Sequence, residues 1–252
     1  VGPATGSRSG ARGFDWPTQG LFDQNYLSMN VESRDSVSLK PAELDELGQI
    51  VGSVGLSLSD ELLDHHVEQF PLIATGSVEG ELHSFLFGSL ERIGGTPCIL
   101  WGLGASTRGR AAAPAMRALV GELYRRAAIS FPDEDVLVAG RIAHPSVYSL
   151  LANLTDVVPR PRYTPTGEER AWGRRLARRF GCDARYDDRA FRVSKNGSPE
   201  AIIDGSTLKG GGKAVVELLG APDPTRGEAV IAFGWAVAEA LADGGLVEAL
   251  AS

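Results

Sequence analysis

Residues 99–126 read ILWGLGASTRGRAAAPAMRALVGELYRR. With Cys98 before them, the residues up to Ala105 are apolar throughout, the texture of a strand buried on both faces in mid-sheet. Ser106 to Arg110 mark a loop. From Ala111 the period changes: Met116, Leu119, Val120, Leu123 and Ala127 form an apolar stripe, while Arg117, Glu122, Arg125 and Arg126 fall on the wet side. Pro114 sits in the first turn, where its missing N–H has no helical partner to lose. A buried strand that runs straight into a long amphipathic helix places the chain among α/β or α+β folds.

The flanking segments agree. Upstream, residues 37–39 read as a short strand, Pro41 opens the helical AELDELGQIVGSV, and Ser59 caps a second helix. Residues 72–77 and 81–93 then alternate with period two around Val78-Glu79-Gly80, which predicts a β-hairpin. Downstream, residues 136–142 form another buried strand, and a short helix over 146–154 follows Pro145. Past Val158 come a proline-marked connector, a basic helix over 168–180, a strand near 190–194, and apolar, helical segments at 214–219 and 229–250. The expected architecture is a mixed central sheet flanked by helices. Its divisions are a disordered Gly-, Ser- and Arg-rich tail over 1–28, a core over 29–162, and a C-terminal extension over 163–252. Met29, just past the tail, is an alternative start of the functional chain. The apolar 229–250 stretch suits docking on its own core or on a second subunit, which would make a homodimer.

Composition narrows the function classes. The 252 residues carry 25 basic and 32 acidic side chains, a formal charge of −7, which argues against a phosphate-tracking nucleic-acid binder. Cys98 and Cys182 fit no zinc spacing and no disulfide framework, so a reduced, cytoplasmic setting is expected. No apolar run approaches the roughly 20 residues that cross a bilayer, and no membrane association is expected. His65 and His66 point to different faces and make no metal site; none is expected elsewhere. The stretch from Gly205 to Ala214 fails the phosphate-loop spacing and reads as a flexible turn.

The loop between strand and helix carries the chemistry. A helix start offers unpaired N–H groups and the positive end of the helix dipole, so it holds anions. Ala111, Ala112 and Ala113 let a ligand approach the backbone, and Arg108 and Arg110 add charge beside it. The same Arg108-Gly109-Arg110 also suits a plain solvated turn.

Arg108-Gly109-Arg110-Ala111-Ala112-Ala113 resembles the Arg/Gln-x-x-Gly-x-Gly/Ala motif of the GCN5-related N-acetyltransferase (GNAT) superfamily, with Ala111 where glycine is usual. The HPSVY segment over residues 144–148 is similar to the Asn-Pro-x-x-Tyr variant of poorly characterised GNAT-like sequences, with His144 near the Asn position. The resemblance implies an acyl-CoA-dependent N-acyltransferase, using acetyl-CoA or another acyl-CoA and acting by direct attack of a small-molecule amine. It further implies that backbone at Leu103, Gly104 and Ala105 pairs with the coenzyme's amide arm, a Leu103 N–H steadies the oxyanion, and Tyr148 protonates the departing thiolate. Gly102 and Gly104 suit a bulge or the close approach of a ligand backbone. No carboxylate lies within residues 98–105, so the base is sought on the hairpin, where alternation puts Glu81, His83 and Glu91 on one face unless a bulge at Gly88 intervenes. Ala111, the displaced tyrosine and the absent strand carboxylate equally suit a lapsed enzyme that serves as an acyl-CoA-binding or interaction module.

Overall fold

The computed structural model describes residues 29–55, 59–197 and 202–251; the expected tail before Met29 lies outside the described residues. The first strand, β1 (Met29–Asp35), lies at a sheet edge against β2 (Leu72–Val78). No residue of β1 is fully buried, which is why no apolar alternation announces it. Residues 37–39 are not the expected strand. A 3-10 turn, Ser36–Ser38, forms there instead, because the Ser36 N–H is drawn to the Pro71 carbonyl and its hydroxyl to that of Val67.

Two helices follow as their caps predict. α1 (Pro41–Ser53) begins with the Glu43 carboxylate accepting from the Lys40 N–H, and α2 (Asp60–Gln69) with the Ser59 hydroxyl accepting from the Leu62 N–H. β2 turns into β3 (Glu81–Ile93) through Glu79 and Gly80, whose φ values of 53° and 87° are the left-handed pair that a two-residue hairpin turn requires. β3 pairs antiparallel with β4 (Thr96–Ser106), and α3 (Ala112–Ser130) carries the chain over to β5 (Val136–Ile142), which runs parallel to β4.

The two faces of the sheet are covered by different helices. Trp101 pairs with Gly88, and a side chain on Gly88 would meet Leu123 of α3. Gly102 points to the opposite face, against the Phe70 ring just past α2.

The C-terminal part completes this sheet. After a 3-10 helix at Val147–Leu151, where a short helix over 146–154 was expected, come β6 (Thr155–Val158), α4 (Gly167–Arg179), β7 (Tyr186–Asp187), β8 (Arg192–Val193) and α5 (Lys213–Leu219). Residues 229–250 are not one helix. They form β9 (Ala229–Ala236), α6 (Ala238–Ala242) and α7 (Gly245–Ala251). The run AVIAFGWA suits a buried helix or a buried strand equally by its hydrophobicity. The open edge of β5 decides, because its buried N–H and C=O groups need a partner. β9 supplies one along the whole strand, from Val136 opposite Ala236 to Ile142 opposite Val230. The resulting order is β1-β2-β3-β4-β5-β9-β8-β7, with β6 also on β9. α6 and α7 dock on α3 of the same chain, where Gly121 leaves room for Val247.

Candidate functional site

β4 and β5 pair only from Cys98 opposite Leu137 to Trp101 opposite Gly140. Beyond that point they part, and a cleft opens between them. β4 changes course at the same place: Leu86 of β3 faces Gly104 and Gly88 faces Trp101, so Gly102 and Leu103 together oppose Phe87 alone. This is a bulge, carried by β4 rather than at Gly88. A second irregularity leaves His83 as the extra residue between Ser77 opposite Leu82 and Gly76 opposite Ser84.

At the far end of β4 the chain reaches α3. The helix begins at Ala111 without a side-chain cap, and Arg108, Gly109 and Arg110 before it are exposed. Among the described residues the N–H groups of Gly109, Arg110, Ala111 and Ala113 have no hydrogen-bond acceptor, and Pro114 has no N–H. The Arg108 guanidinium donates to the Val54 carbonyl at 3.2 Å, while Arg110 stands clear. A free helix start flanked by two cations is suited to a multiply charged anion.

The cleft itself holds a segment of the chain's own C-terminal part. Ile203 forms a parallel bridge with Gly104: the Gly104 N–H donates to Ile202 at 3.3 Å, and the Asp204 N–H donates to Gly104 at 2.7 Å. Ile202, Ile203 and Leu208 are buried, and the buried Asp204 carboxylate accepts from both the N–H and the hydroxyl of Ser206. The glycine-rich run from Gly205, expected to be a flexible turn, is packed instead, because His144, Pro145 and Ser149 press directly on its backbone. The backbone that approaches Gly104 closely is this segment of the same chain.

The remaining expected site residues fall at three places. Leu103 and Ala105 are buried within β4 beside Gly104, and Ala112 and Ala113 lie in the first turn of α3. His144 stands across the cleft, its Nδ1 accepting from the Ser146 N–H at 3.2 Å. Tyr148, half-buried on the next turn, donates its hydroxyl to the Pro159 carbonyl at 2.8 Å, and burial raises its pKa. His83 and Glu81 lie apart from these. His83 Nδ1 is 3.1 Å from the Thr107 hydroxyl, and Glu81 lines an open groove of about 340 Å³ with Glu46, Gln49 and Thr107. Glu91 does not join them, because it is ion-paired to Arg179 of α4 at 2.6 Å.

Two buried groups have strongly shifted pKa values. His66 stacks on Phe70, and desolvation, reinforced by the Arg141 charge, holds it neutral with a pKa of about 3. Cys98 is buried, which pushes its thiol up to about 12 and leaves it a packing residue. Among the described residues no group of three metal-ligating side chains occurs, and no helix is long and apolar enough to cross a membrane.

No family model and no curated protein matches the chain. Solved structures do. The ribosomal-protein-S18-alanine N-acetyltransferase from Escherichia coli aligns at 14% identity over 56% of this chain and 86% of its own, with a TM-score of 0.39. The N-acetylglutamate synthase from Neisseria gonorrhoeae, complexed with coenzyme A and N-acetyl-glutamate, aligns at 14% identity over 60% of this chain and 32% of its own, TM-score 0.39. A GNAT family acetyltransferase from Brucella melitensis in complex with acetyl-CoA aligns at 13% identity over 47% and 81%, TM-score 0.33.

Proposed function

We propose that the chain is an acyl-CoA-dependent N-acyltransferase of the GNAT type, transferring acetyl from acetyl-CoA to the amine of a small molecule. The observation that carries this reading is the junction of two features on one strand. β4 parts from β5 after Trp101, exposing backbone that bonds an extended amide chain at Gly104, and from Gly109, five residues on, it leads into a helix start where the N–H groups of Gly109, Arg110, Ala111 and Ala113 have no acceptor among the described residues. An amide-bearing arm that ends in a diphosphate matches both. The acyl-CoA would supply a thioester, an acyl group already activated toward amines.

In this reading Gly109, Arg110, Ala111 and Ala113 donate backbone N–H groups to the diphosphate, with Arg108 and Arg110 balancing its charge. The bulge turns the Leu103 backbone out of the regular ladder, which suits it to donate to an oxyanion. His144 lines the far wall. Tyr148 serves as the proton donor only after its hydroxyl leaves the Pro159 carbonyl. The groove lined by Glu46 and Glu81 suits a cationic amine, with His83 beside it as a proton acceptor.

The test is a thermal-shift titration with acetyl-CoA followed by thiol release over a panel of amines. Stabilisation with turnover on any amine supports the transferase; no stabilisation by acetyl-CoA contradicts it. A second reading, a catalytically lapsed GNAT-fold module, is favoured by the Ile202–Asp204 segment lying where the coenzyme arm would lie. Binding of acetyl-CoA without turnover on any amine would support that one.

A further inference from the structure

The segment over residues 202–212 spans the cleft from wall to wall. On the β4 side it is held by the two bonds of Gly104. On the β5 side the Gly205 backbone lies so close to His144 that a Cβ there would stand 2.4 Å from the His144 Cβ. Gly211 lies equally tight on Pro145, at 2.6 Å, and the Ser146 and Ser149 hydroxyls donate to the carbonyls of Gly210 and Lys209 at 3.3 and 3.4 Å.

Gly104 has one N–H and one carbonyl, and both are committed to this segment. An extended amide arm docking on the same strand needs the same two groups, so the two occupants exclude one another. The segment is only lightly paired to β4. Among the described residues it shares one isolated bridge with β4, whereas β3 and β5 pair with β4 over runs of residues. Its seal is imperfect as well: the hydroxyls of Ser106 in β4 and Thr207 in the segment are buried without a partner, a cost that opening to water or ligand would relieve.

We propose that residues 202–212 are an internal strap that competes with the coenzyme arm for the β4–β5 cleft, so that acyl-CoA binds only the strap-open molecule. This rests on the acyl-CoA reading above. The apparent affinity is then reduced by the fraction of molecules that are open, and anything that lifts the strap raises it.

Hydrogen exchange read by mass spectrometry on the full chain, with and without saturating CoA, tests this directly. Deuterium uptake over residues 202–212 should rise with CoA while uptake over 108–113 falls. Calorimetric titration with CoA complements it on wild type, Gly205→Ala, whose Cβ collides with His144, and Ile203→Ser, which weakens the strap's buried anchor should the first variant fail to fold. Strap-lifted variants should bind CoA at least tenfold tighter than wild type. Equal affinity in wild type and variants, with unchanged strap uptake, overturns the strap and leaves the coenzyme reading standing. No heat with CoA in any of the proteins overturns the coenzyme reading itself.

Discussion

Replacing Ala111 by Asp separates the stability of α3 from its capacity to hold an anion. Ala111 caps the helix without a side-chain hydrogen bond, and the N–H groups of Arg110, Ala111 and Ala113 around it have no acceptor among the described residues. A carboxylate at that end interacts favourably with the helix dipole by about 0.3 to 1 kcal/mol, and Arg108 and Arg110 add further attraction. Folding stability should therefore hold or rise slightly. For a phosphate the sign reverses. Two unit charges about 5 Å apart repel by about 0.8 kcal/mol in water and about 3 kcal/mol at an effective dielectric of about 20. CoA affinity should then fall by roughly 4-fold to 200-fold, while Ala111→Asn, of similar shape but neutral, loses far less. Urea denaturation and calorimetry with CoA, run on all three proteins at fixed salt, read the two effects separately. Unchanged CoA affinity in Ala111→Asp, with the protein folded, would refute the reasoning.

Three further predictions concern the frame around the cleft. His66 titrates at about 3 in the folded chain against 6.5 as a free side chain, so between those values the unfolded state binds more protons and stability rises with pH by up to about 1.4 kcal/mol per unit. Urea melts at pH 6.5 and 5 should differ by roughly 2 kcal/mol more in wild type than in His66→Phe; equal losses would show that His66 is not the source. Leu123→Ala empties the space over Gly88 in the middle of the sheet and should cost about 2 to 5 kcal/mol in the same assay, a loss under 1 being inconsistent with the packing. Thr166→Ala removes the hydroxyl that accepts from the Glu169 N–H at the start of α4 and should cost about 1 kcal/mol, read as a lowered melting temperature.

Where the sequence was legible, one local force was unopposed. The helix starts at Pro41 and Ser59 follow from caps and first-turn residues, and β4, α3 and β5 from hydrophobic pattern alone. What stayed hidden was decided by distant partners. β1 has no fully buried residue, and only its pairing with β2 makes it a strand. The AVIAFGWA run became β9 because β5 had an unpaired edge. The candidate site divides in the same way. Gly104 and the Arg108 to Ala113 loop are local features that their own residues announce, whereas the strap is two isoleucines and a glycine-rich stretch whose meaning comes only from the wall they meet. Glu91 shows the converse: alternation offered it as a catalytic carboxylate, and Arg179, far along the chain, claims it for an ion pair.

The most direct test of the account is a two-dimensional amide spectrum of 15N-labelled protein titrated with CoA. The account predicts that the resonances of Gly109, Arg110, Ala111 and Ala113 move most, followed by those of Gly104 and Asp204 as the bridge between them breaks. A titration that leaves these amides in place, or that shifts a different surface of the molecule, contradicts it.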